Sequence, residues 1–119
     1  MSGDGSMGNS DRIREDVGLT VRVEQDGEAL VVSAFGRLDL ANFKTLQAEL
    51  QRAIAGDASG VTLDLGAVSF IDSAGLQAVL LMARQSLLNA GRLRLLRVSA
   101  PLERAITGSG AGRLLPSPD

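Results

Sequence analysis

Apolar and polar residues alternate over residues 19–24, Leu-Thr-Val-Arg-Val-Glu, the period-two signature of a strand with one buried face. Gln25-Asp26-Gly27-Glu28 supplies turn chemistry. A Val-rich run over residues 29–35 follows, so the two segments are predicted to pair as a hairpin. The period then changes. Phe43, Leu46, Leu50, Ala53 and Ile54 recur at helical spacing, which predicts a helix over about residues 41–55, ended by Gly56. Val61, Leu63 and Leu65, with Thr62 and Asp64 between them, mark a third strand. A short apolar linker, residues 66–71, leads to Asp72-Ser73-Ala74-Gly75, where a long helical pattern opens and runs to Asn89. Leu76, Val79, Leu80, Ala83 and Leu87 share its apolar face, and Gly91 is placed to cap it. Residues 92–98 alternate again and predict a fourth strand. Ser99 as N-cap and Pro101 in the first turn predict a short helix carrying Leu102, Ala105 and Ile106. The glycine-rich residues 108–112 end it, and Leu114 and Leu115 are expected to add a last short strand.

The resulting order, β-β-α-β-α-β-α-β, predicts an α/β fold with a small mixed sheet, antiparallel at its start and otherwise parallel. Polar residues at alternate strand positions place the helices mainly on one face. Residues 1–17, rich in Gly, Ser, Asp and Arg without periodicity, are expected to be a mobile N-terminal tail, and residues 18–119 a single domain. A chain of 119 residues buries roughly two-thirds of its unfolded surface, enough for one core. With three Phe and no Tyr or Trp, that core must be aliphatic.

Absent residue types narrow the chemistry. Without cysteine there is no disulfide or thiolate nucleophile, and without histidine no Ser-His-Asp hydrolase, His-ligated zinc or phosphohistidine relay. The formal charge of −2 and a single lysine, Lys44, argue against binding nucleic acid or a membrane surface. No apolar run is long enough to cross a bilayer, and the N-terminus lacks a signal-peptide core, so a cytoplasmic location is expected.

Asp72-Ser73-Ala74-Gly75 has the outline of a nucleophile elbow but lacks the motif's first glycine and any histidine base. The glycines of residues 108–112 follow a helix instead of a strand, so a phosphate loop is not expected there. Asp39, Asp64 and Asp72 could hold Mg²⁺ in a receiver-like pocket, but the required lysine is missing, since Lys44 lies in the first helix. No catalytic residue, metal site, cofactor or small-molecule substrate is therefore predicted. Ser73 at a helix start is accounted for by capping alone, worth about 1 kcal/mol, with Asp72 beside it favouring the helix dipole.

The longer segment over residues 61–76, a buried strand, an apolar linker and Asp-Ser-Ala-Gly-Leu opening a helix, resembles the signature of the STAS family. Gly36-Arg37-Leu38-Asp39 resembles the family's second motif, and Ser99-Ala100-Pro101-Leu102 the helix after its fourth strand. The resemblance spans residues 19–115 and lacks the further C-terminal helix of many members, which leaves one sheet face less covered. In the antagonist branch it implies a binding switch. The unphosphorylated protein would bind an anti-sigma factor that is also a serine kinase using ATP, free the sigma factor, and be released on phosphorylation of Ser73, with a serine phosphatase resetting it. Asp39, Asp72, Ser73, Ala74, Gly75 and Gln77 are the partner-binding positions that the resemblance implies. Alternatives within the family are a non-phosphorylated subunit docking on the ATPase of a lipid transporter, favoured by Ala74, and a stressosome scaffold component.

Overall fold

The computed structural model describes residues 11–88 and 92–115. Its strands are β1 (Arg12–Asp16), β2 (Leu19–Asp26), β3 (Ala29–Leu38), β4 (Val61–Ile71) and β5 (Leu93–Val98). Its helices are α1 (Phe43–Ala55), α2 (Ser73–Leu88) and α3 (Ala100–Gly108), followed by a 3-10 turn, Gly112–Leu114. The strands lie in chain order in one sheet. β1–β2 and β2–β3 are antiparallel, whereas β3–β4 and β4–β5 are parallel.

Both parallel steps advance in the same direction along the sheet. Crossovers keep a right hand, so successive steps the same way place α1 and α2 on the same face. The register agrees. Val21 and Val23 sit opposite Ala34 and Val32, Val32 beside Leu63, and Leu63 beside Leu95, and all are buried. The neighbouring rows, with Arg22, Asp64 and Arg97, face outward. Leu46, Leu50, Val79, Leu102 and Ile106 close the core from the helix side. The helices on one face and the mixed sheet match the expectation. Ser99 caps α3 by accepting from the Leu102 N–H, as its sequence signal predicts.

Four local expectations are corrected. Residues 12–16, assigned to the tail, form edge strand β1. Arg12 and Arg14 lie in register with Val23 and Val21 on the helix side and pair with the carboxylate of Glu49 in α1, which is only 2% exposed. The Thr45 hydroxyl donates to Asp16 at 2.7 Å. Polar contacts hold this strand, and they leave no apolar rhythm to read. The linker over residues 66–71 is the second half of β4, paired to β3 as far as Leu38 beside Ile71, with register shifts that absorb its irregular pattern. α1 begins at Phe43, because Leu40 and Ala41 belong to the loop that carries Asp39. Leu114 lies in the 3-10 turn, its side chain buried, so no last strand forms there. The predicted cap at Gly91, the face position of the Leu87 side chain and residues 1–10 of the expected tail lie outside the described residues.

Candidate functional site

Two parallel strands end side by side, and their exits make the site. β3 ends at Leu38 and β4 at Ile71, which are register partners. The Leu38 carbonyl accepts from the Asp72 N–H at 3.3 Å, so the loop after β3 and the start of α2 leave the sheet as one unit. Asp72 then binds both ways. Its Oδ1 accepts from the Gly75 N–H at 2.8 Å, and its Oδ2 from the Leu40 N–H at 3.0 Å. Its carbonyl accepts the first helical bond, from the Leu76 N–H at 2.9 Å.

This geometry makes Asp72 the N-cap of α2 and Ser73 the first helical residue. The capping role expected for Ser73 therefore belongs to its neighbour. The Ser73 side chain is exposed, and its hydroxyl makes no hydrogen bond within the described residues. The hydrogen bond from the Gly75 N–H foremost, against the opposing effect of burial and with help from the Leu40 N–H, holds the Asp72 carboxyl below the ordinary carboxylate range.

Gly75 has an internal explanation. It is buried, and a Cβ there would lie 2.3 Å from the Leu38 carbonyl oxygen and 3.0 Å from Ile71 Cγ1. Glycine lets the first turn of α2 rest against the ends of both strands. This packing role accounts for the glycine from within the domain.

The facing loop is fixed as firmly. Asp39 Oδ1 accepts from the Ala41 N–H at 3.1 Å, and Oδ2 from the Arg37 guanidinium at 3.3 Å. Asn42, which the sequence reading passed over, is 1% exposed and ties the loop to the β1–β2 turn. Its Nδ2 donates to the carbonyls of Val17, at 2.8 Å, and Arg37, at 3.1 Å, while Oδ1 accepts from the Asp39 N–H at 2.9 Å. An asparagine directly before a helical pattern is a visible capping signal, but here the side chain turns back toward the sheet, which the pattern does not reveal. Leu40 at the loop tip stands 71% exposed.

Asp39, Asp72, Ser73 and Ala74 thus converge around one surface, with Gln77 exposed one turn further along α2. Asp64 falls elsewhere, on the open sheet face, where Arg97 grips its carboxylate through two nitrogens at 2.9–3.2 Å. The site presents a free hydroxyl on a rigid turn with two carboxylates close by. Among the described residues no cluster suited to a metal is found, and no helix is long and apolar enough to cross a membrane.

The family model for the STAS domain matches residues 20–117. The chain is 33% identical over 87 residues to a Bordetella bronchiseptica protein that carries the name anti-sigma factor antagonist BtrV, covering 73% of this chain and 75% of that one. Among solved structures it is similar to the anti-sigma factor antagonist SpoIIAA in its unphosphorylated form, with a TM-score of 0.59, 29% identity and coverage of 79% and 84%. It is also similar to Bacillus SpoIIAA in the phosphorylated form, with a TM-score of 0.57, 29% identity and coverage of 79% and 86%. An anti-sigma factor antagonist from Mycobacterium paratuberculosis shares the fold at a TM-score of 0.68 and 24% identity, over 85% of this chain and 86% of that one.

Proposed function

Because the chain belongs to the STAS domain family, we propose that it is a cytoplasmic anti-sigma-factor antagonist, a binding module without catalytic activity that is switched by phosphorylation of Ser73. The observation that carries this reading is the separation of duties at the start of α2. Asp72 does the capping, so the Ser73 hydroxyl is left free on an ordered turn. A kinase can take it without unwinding the helix.

Phosphorylation adds about −1.5 to −2 charges at that point. The positive end of α2 accepts part of this charge, whereas Asp39 and Asp72 oppose it. The unmodified surface is the form that binds an anti-sigma factor. That factor acts as a serine kinase, and a serine phosphatase restores the hydroxyl. A dianion forced into the dry contact weakens binding by about two decades, and no refolding is required. The relative SpoIIAA has been seen in phosphorylated and unphosphorylated forms, which supports the same chemistry here.

Incubation with the cognate kinase and ATP, followed by mass-spectrometric mapping, tests the assignment. Phosphate is expected on Ser73 alone, and Ser73→Ala is expected to abolish it. Modification at another serine, or undiminished modification of Ser73→Ala, overturns the assignment.

A further inference from the structure

Ser73 is the first member of an exposed stripe. Ser73, Gln77, Leu81, Arg84 and Leu88 are all exposed, and at 100° per residue they fall within about 80° of arc on α2. The opposite arc, with Ala78, Val79, Met82 and Ala83, is buried in the core. Leu81 is 54% exposed and Leu88 84%, and the exposed Leu40 sits near Ser73 through its N–H bond to the Asp72 carboxylate. Isolated surface leucines need no explanation, but here Leu81 and Leu88 share the arc that begins at Ser73, and Leu40 lies in the loop bonded to Asp72. Arg84, between the two helix leucines, forms no ion pair among the described residues.

We propose that the anti-sigma factor engages the whole stripe, seating Leu81 and Leu88 in an apolar trough beside an acidic group that meets Arg84. This inference rests on the reading of Ser73 above and extends it to a second, phosphate-independent half of the same contact. Continuity with Ser73 favours that partner over a second copy. The stripe offers a cation and no acid of its own, so an isologous pairing centred on Arg84 would set arginine near arginine.

The two halves act separately because of distance. A rise of 1.5 Å per residue puts Leu81 about 12 Å and Arg84 about 16 Å from Ser73. Both exceed the Debye length of about 8 Å at physiological salt. The phosphate therefore acts at the N-terminal end while the leucines hold the partner at the other. Changes this far apart combine additively.

The test is a cycle of affinities for the kinase that modifies Ser73, using wild type, Leu81→Ser and Arg84→Glu, each with and without phosphate. Thermal melts establish that the variants are folded, as expected for exposed positions. Leu81→Ser is expected to weaken binding about ten- to hundredfold, and Arg84→Glu about tenfold. The ratio between phosphorylated and unphosphorylated forms should stay unchanged in each. Wild-type affinity in both variants, with wild type itself binding and switching, overturns the stripe while leaving the Ser73 reading intact. Absence of any binding by wild type overturns both. A wild-type dimer in light scattering that Leu81→Ser disperses assigns the stripe to a second copy and also overturns the proposal.

Discussion

Asp72 closes the first turn of α2 and anchors the Leu40 loop at once. Ser73 beside it is structurally idle, so Ser73→Ala should shift the melting temperature by no more than about 2 °C. Asp72→Ala should lower it by about 5 °C, because the cap and the loop anchor go together. The pair of melts separates the two residues, and a larger loss for Ser73→Ala would return the cap to the serine. Gly75→Ala tests the neighbouring contact. A methyl 2.3 Å from the Leu38 carbonyl oxygen must push the helix start off the strand ends, at a cost of about 1–3 kcal/mol in urea unfolding. An unchanged midpoint would show that the close approach is soft.

At the scale of elements, the segments held by apolar burial were legible and those held by polar contacts were not. β2, the first half of β4, and β5 announce themselves through alternation, and α1 and α2 through their buried stripes. The segment around Ser73 was legible as a motif, yet the motif could not say which residue caps. That depends on where the Asp72 carboxylate turns, toward Gly75 and Leu40. β1 was invisible because its hold on the domain is the Glu49 carboxylate meeting Arg12 and Arg14, together with Thr45 meeting Asp16. A buried glutamate in the middle of an apolar stripe is the one signal that could have exposed it. Replacing both Arg12 and Arg14 with Ala strands the Glu49 carboxylate, nearly fully buried, without a cation. The double variant should lose about 2 kcal/mol, less than for a fully buried pair because the arginines are partly solvated. Amide exchange should quicken first along β2, the strand that β1 covers. Protection of β2 equal to that in wild type would mean that β1 is held by its backbone ladder alone.

For the whole molecule, the carboxylates set the acid limit of stability. Asp16, held down mainly by the Thr45 hydroxyl, and Asp72, held down mainly by the Gly75 N–H, both lie below the ordinary value. So does Asp64, where burial pushes upward but the Arg97 hydrogen bonds prevail. Groups depressed in the folded state contribute stability above their unfolded pKa of about 3.9 and lose it as pH falls through the lower folded values. Unfolding midpoints should thus hold steady from neutral pH to about 5 and decline below about 4, and Asp64→Asn should blunt that decline. The proposed switch is a change of charge on a preformed surface built by two strand ends, a capped helix and a pinned loop. Its most direct test is the affinity of the wild-type protein for the serine kinase that modifies it, measured with Ser73 free and with Ser73 phosphorylated. About a hundredfold weaker binding of the phosphorylated form is predicted, with the gap narrowing as salt is raised. Equal affinity of the two forms would contradict the account.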